Sequence, residues 1–168
     1  MDSDWNAAFH SALQSAGTDP DNDGDEAFTR TLRRFIAALH DGHAAVVRGP
    51  DLPFVPPLAW DWIEEHIVII AGPPSLRPGD LVLEINGTPA AKALAAEEEL
   101  ISAATPQHRR VRALATLAAG PPDTEIHLAI QPGEGPARTV HLRRTQPVDG
   151  SFPARMETLA EIRPNIFY

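Results

Sequence analysis

The densest group of reactive side chains in this sequence is His40-Asp41-Gly42-His43. An unperturbed imidazole titrates near neutrality, so either histidine has the chemistry of a general base. Two histidines at this spacing could also ligate a metal, but the sequence places no third ligand beside them. The same residues fit a helix stop, with Gly42 as C-cap and His40 favoured by the helix dipole. A second candidate, Asp19, Asp21, Asp23 and Gly24, matches the opening of a calcium loop. The carboxylate that should close such a loop falls instead on the cation Arg30. The acidic segment therefore reads as a solvated linker, and no metal or other cofactor is expected. Nucleophilic catalysis needs a base beside a hydroxyl. Lys92 is the single lysine, and no serine stands in a Gly-x-Ser-x-Gly elbow. Ser75 reads as a turn residue and Ser102 as a helix-surface residue, so no self-contained Ser–Lys pair is expected.

The elements that must position these groups follow from periodicity. Trp5, Phe9, Leu13 and Ala16 recur at helical spacing up to Gly17. Phe28, Leu32, Phe35, Ile36 and Leu39 give a second helix one apolar stripe, with Arg30, Arg33 and Arg34 off it. Residues 49–66 hold four prolines and cannot form a central strand, so Leu52, Phe54, Trp60 and Trp62 are expected to pack between two lobes. Ile67 to Ile70 reads as a buried strand. Next, Pro78-Gly79-Asp80 reads as a turn and Leu81 to Ile85 as a strand; Asn86-Gly87 is the favoured pair for a two-residue hairpin turn. Pro89 opens a helical pattern over 90–104, and a further helix spans 107–119. Leu94, Ile101, Val111, Leu114 and Leu117 are expected to face the core, and Glu97-Glu98-Glu99 the solvent. Ile126, Leu128 and Ile130 alternate with polar positions, as do Val140 and Leu142, predicting a hairpin. His127 and His141 then face outward as sheet residues rather than ligands.

Composition limits the function classes. The chain has 168 residues, 43% of them hydrophobic, no cysteine and a formal net charge of −9. That charge argues against nucleic acid and anionic membrane surfaces. Disulfides and thiolate–metal sites are excluded, and no apolar run is long enough to span a bilayer.

The segment Ser75 to Pro89, with Gly79-Asp80 and Asn86-Gly87 bracketing a strand, resembles the turn–strand–turn–helix of PDZ domains embedded in bacterial proteases. Asp41-Gly42-His43 after a helix ending Phe35-Ile36-Ala37-Ala38-Leu39, ahead of such a segment, resembles the C-terminal processing (tail-specific) serine peptidases, including their tricorn-like branch. The opening Asp4-Trp5-Asn6 and the order of parts resemble that family too, so the likeness covers nearly the whole chain. It implies a helical subdomain, then a permuted PDZ-like domain, then an α/β core bearing a serine nucleophile. The base in that family is a lysine or, in the tricorn-like branch, a histidine at the position of His43, with Asp41 supporting it. A PDZ-like unit implies that an extended peptide C-terminus adds to a sheet edge near Ile67, Ile69, Leu76, Gly79 and Asp80. No Gly-Leu-Gly-Phe-type carboxylate loop precedes the strand, and Glu64-Glu65 there would repel a carboxylate.

The expected fold class is α+β: a small N-terminal helical lobe, then a PDZ-like partly open β-barrel with inserted helices. The expected divisions are a helical subdomain at 1–48, a Pro/Trp-rich crossing at 49–66, a PDZ-like domain at 67–145 and a lead-in at 146–168. Ile166-Phe167-Tyr168 reads as the start of a strand, so a fragment lacking its catalytic core, inactive alone, is expected. Expected partners are a peptide or protein C-terminus and the protein's own core, with no nucleic acid and no membrane span. The resemblance implies a bacterial periplasmic or secreted setting and leaves a cytoplasmic one open. The alternative is a non-catalytic PDZ-like module that binds peptide ends or apolar ligands.

Overall fold

The structure, a computed structural model, describes residues 5–18, 25–46, 53–148, 161–163 and 166–167. The elements in chain order are α1 (Trp5–Thr18), α2 (Asp25–Ala37), β1 (Phe54–Val55), β2 (Ala59–Ile63), β3 (His66–Ala71), β4 (Leu81–Ile85), β5 (Thr88–Pro89), α3 (Ala90–Glu98), α4 (Pro106–Thr116), β6 (Glu125–Gln131), β7 (Arg138–Arg143), β8 (Gln146–Pro147), β9 (Glu161–Arg163) and β10 (Ile166–Phe167). The class is α+β. The main sheet runs β2-β3-β4-β6-β7, with β5 folded back on β4. All its pairings are antiparallel, and the described strands close no barrel.

Period-two alternation puts one face of every main strand inward. Ile67, Ile69, Ile126, Leu128 and Ile130 are essentially inaccessible, and Val82, Ile85, Val140 and Leu142 complete the buried face. Burying each such side chain stabilises the fold by about 1.5–3 kcal/mol. α3 and α4 cover that face through Leu94 and Leu114. Ile70 is exposed, so β3 is buried on one side only.

Several expectations change here. The proline-rich stretch contributes β1, a two-residue strand paired with β8 and bridged to Gly120. Ala59–Ile63, expected within a crossing, is the edge strand of the main sheet, because its five residues contain no proline. Its Trp60 and Trp62 pack on the core beside α4 rather than between lobes. Trp60 Nε1 donates to the Leu114 carbonyl at 2.9 Å, and Arg110 stacks over Trp62 at 4.7 Å. Leu52 lies outside the described residues. α3 stops at Glu98, well short of residue 104, so Ile101, Ser102 and Ala103 are buried in a non-helical segment. Val111 turns outward instead of facing the core. Glu97 and Glu98 are half-buried ion-pair partners of Arg33 (2.6 Å) and Arg110 (2.7 Å), not a solvated face. The Arg33 pair ties α2 to α3.

Two hairpin turns carry the backbone cost of the sheet. Asn86 and Gly87, at φ 50° and 77°, suit the left-handed region, and Asn86 also accepts the His127 N–H at 2.9 Å. The β2–β3 turn needs the same conformation from Glu64 and Glu65, at φ 49° and 65°. For a residue with a Cβ that region costs about 1–2 kcal/mol.

Arg144 holds the far end of the sheet. It is buried, and its guanidinium donates to the carbonyls of Ala118 (2.8 Å) and Glu125 (2.7 Å) and to Thr124 Oγ1 (3.0 Å). Burial lowers its pKa from the ordinary arginine value. Gly120 makes room for it, since a Cβ there would stand 2.7 Å from Arg144 Nε.

Two outcomes follow. Glu65→Gly is expected to raise stability by about 1 kcal/mol, read as a higher urea midpoint at unchanged slope. Arg144→Met leaves carbonyl acceptors unpaired and should lower stability by roughly 2–3 kcal/mol in the same measurement.

Candidate active-site dyad

α2 ends on the bonds of a tightened last turn, Leu39 N to Ile36 O and His40 N to Ala37 O. The left-handed stop is taken by His40 (φ 53°), not by Gly42 as expected. Gly42 is needed for a different reason: a Cβ there would meet the His108 ring at 2.9 Å. The chain thus leaves α2 two residues earlier, and it is tied to α4 and to the segment before it.

Three side chains, Ser102, Arg112 and Arg109, fix this loop on the sheet unit. The Asp41 N–H donates to Ser102 Oγ at 3.0 Å. Arg112 Nη1 donates both to the Gly42 carbonyl (3.1 Å) and to the Ser102 carbonyl (2.8 Å). Arg109 Nη2 donates to His40 Nδ1 at 3.1 Å, so that ring nitrogen is an acceptor. Donors on a guanidinium make the stronger class of hydrogen bond.

The loop presents Asp41 and His43 as a pair. Asp41 Oδ1 accepts the His43 backbone N–H at 2.9 Å and lies 3.0 Å from His43 Nδ1. A carboxylate can only accept, so Nδ1 carries the proton and Nε2 is the basic nitrogen of the neutral ring. The His43 side chain is 98% exposed. The backbone hydrogen bond from His43, then the ring hydrogen bond, hold the Asp41 carboxyl below its ordinary pKa. The pair is therefore an oriented imidazole open to a reactant on its outer side.

The remaining sequence-derived residues lie elsewhere. Ile67, Ile69, Leu76 and Asp80 are buried in the core. Gly79 forms the turn at φ 91°, where its N–H donates to the Ile69 carbonyl and the Asp80 carbonyl accepts from Ile69 N. The Asp80 carboxylate accepts from Arg77 N (3.0 Å) and Arg138 Nη2 (3.3 Å). β3 is paired on both edges, by β2 and β4, so Ile67 and Ile69 lie on an interior strand, while Leu76, Gly79 and Asp80 lie in the connection between β3 and β4. Ser75 and Lys92 are exposed. Ser102 is 3% exposed and outside any helix, against the expectation of a helix-surface residue. The acidic segment at 19–24 lies outside the described residues. Sequence reasoning missed Ser102 and Arg112 as anchors. An arginine inside an otherwise amphipathic helix was the signal available, and it reads equally as a solvated side chain.

No family model and no curated protein matches the chain. Among solved structures it is similar to mature CPAF complexed with lactacystin, with 22% identity and a TM-score of 0.68 over 82% of this chain. A second structure of mature CPAF gives 23% identity, a TM-score of 0.66 and the same coverage of this chain. The photosystem II D1 C-terminal processing protease aligns over 84% of this chain and 38% of its own, at 16% identity and a TM-score of 0.37, too low to bear on the fold. The CPAF likeness establishes a shared fold. The chain spans about 28% of the length of those CPAF chains.

His43→Ala removes the ring hydrogen bond to Asp41, and the Asp41 carboxyl pKa should rise toward its ordinary value. A carboxyl-carbon NMR titration of the two proteins reads this directly.

Proposed function

We propose that this chain is the front portion of a C-terminal-processing-type serine peptidase, and that His43 is the general base of the whole enzyme. The observation that carries the reading is the Asp41–His43 pair on an anchored loop, with Nε2 turned outward. The reading draws further support from the fold shared with mature CPAF, a structure solved as a complex with lactacystin. In this account a serine hydroxyl from a catalytic core outside these residues gives its proton to His43 Nε2 as its oxygen attacks the peptide carbonyl. The proton then passes to the leaving amine, and water hydrolyses the acyl-enzyme by the same base. Asp41 keeps the ring in the tautomer this requires.

The helical lobe supports the same reading. Trp5, Phe9, Leu13, Phe28 and Leu39 are all exposed large apolar residues of α1, α2 and the turn after them. A core packed against that lobe would cover them and bring its nucleophile toward the neighbouring loop.

Peptide handling is proposed for the PDZ-like unit, which takes in β2 as well as residues 67–145. Ile67, Ile69, Leu76, Gly79 and Asp80 would build its floor and first turn, and an extended peptide would add along the edge strand β2. The second reading, a PDZ-like module that binds peptide ends or apolar ligands without hydrolysis, is favoured by a cleft of about 290 Å³ lined by Trp62, Arg110, Val111 and Leu114.

Peptide hydrolysis by a form of the protein that carries its core tests the proposal. His43→Ala should lower kcat by on the order of 10²–10⁴-fold, as loss of a general base does. Activity unchanged in His43→Ala would make the dyad structural. A folded parent that binds peptides and cleaves none would favour the binding module.

A further inference from the structure

We infer that Glu125, His127 and His141 form a divalent-metal site on the outer face of the β6–β7 hairpin, with zinc as the ion. His127 and His141 stand directly opposite each other in the strand register. The backbone of His127 is turned toward β4: its N–H donates to Asn86 Oδ1 (2.9 Å) and its carbonyl accepts from Asn86 N (2.8 Å). Toward β7 the two histidines therefore form a non-hydrogen-bonded pair, the class that brings side chains closest. Their ring centroids are 4.2 Å apart.

Glu125 precedes His127 by one strand period and so shares its face. Its Oε2 lies 4.0 Å from His127 Nε2 and 3.9 Å from His141 Nδ1. One donor atom from each residue falls within 4.8 Å of the others. Tetrahedral zinc with ligands at 2.0–2.2 Å sets its donors about 3.3–3.5 Å apart. The Glu125 oxygen stands about half an ångström farther than that from each imidazole nitrogen, a gap within reach of side-chain rotation. Beneath the cluster Ile126, Leu128, Val140 and Leu142 are buried, and the Glu125 carbonyl is held by Arg144 at 2.7 Å.

Two imidazoles and one carboxylate are a donor set for zinc rather than for magnesium or calcium, which prefer oxygen. Three protein ligands leave a fourth position for water or a partner's side chain. Arg143 is paired with Glu125 in the register and is the opposing feature, a cation competing for the carboxylate. Outward-facing sheet residues rather than ligands were the expectation here. The orientation holds, and it is what brings the three donors together.

Titration of the 168-residue chain with Zn²⁺ by calorimetry, with imidazole C–H resonances followed by NMR, tests the site. Saturable binding of one ion is expected, with His127 and His141 signals shifting together. His127→Ala and His141→Ala should each weaken binding by roughly tenfold or more. Arg143→Gln should tighten it, and His66→Ala should leave it unchanged. All are exposed positions, so circular dichroism should show every variant folded. No saturable binding would overturn the proposal. So would binding that survives both histidine substitutions, or shifts confined to His40 and His43.

Discussion

The bridge made by Arg112 is the interaction on which the candidate site depends. One guanidinium nitrogen holds the Gly42 carbonyl and the Ser102 carbonyl together, and Ser102 in turn receives the Asp41 N–H. A loop leaving a helix has several unpaired backbone groups, and water would satisfy them in many conformations. Tying them to a side chain that is itself seated on the buried segment at 101–103 selects one. The stability of the sheet is thereby passed to a histidine that makes almost no packing contact of its own.

That arrangement separates two demands that conflict in one residue. In the role proposed for His43 the imidazole must be accessible, and accessible side chains are poorly ordered. Here the order lies in the backbone of 40–43 and in the carboxylate of Asp41, while the imidazole stays in solvent. Arg33 and Glu97 add a second tie between the helical lobe and α3. Both side chains are largely buried, and the same Glu97 oxygen accepts from Thr116 Oγ1 at 2.8 Å, so the pair fixes the orientation of α2 on α3 and α4.

Much of the fold was legible because its signals are local. Asn86-Gly87 specified a two-residue turn, and alternation along β6 and β7 specified which face is buried. Asp41 and His43 were legible together only through the Asp-Gly-His resemblance; the residues alone read as a helix stop. What sequence could not give are contacts set by tertiary packing. Nothing local says that α3 stops at Glu98, which turns Ser102 from a helix-surface residue into a buried anchor. Left-handed Glu64 and Glu65 break the turn rules, and only the pairing of β2 with β3 requires them. His127 and His141 were correctly faced outward, but their adjacency depends on a register that composition does not encode. Ile67 and Ile69 were legible as strand residues, and Gly79-Asp80 as a turn. Burial of Ile67 and Ile69 comes from the helices α3 and α4 that cover their face, a packing no local signal encodes.

The most direct test of the central claim is steady-state hydrolysis by the enzyme with its core in place, comparing Arg112→Gln with the parent. Arg112 touches neither the imidazole nor, in this account, the substrate, so it acts only by positioning. The account predicts a large fall in kcat with KM little changed, and weaker hydrogen-exchange protection of the Asp41 amide. Parental kcat together with a released Asp41 amide would contradict it, since the base would then work without the anchor.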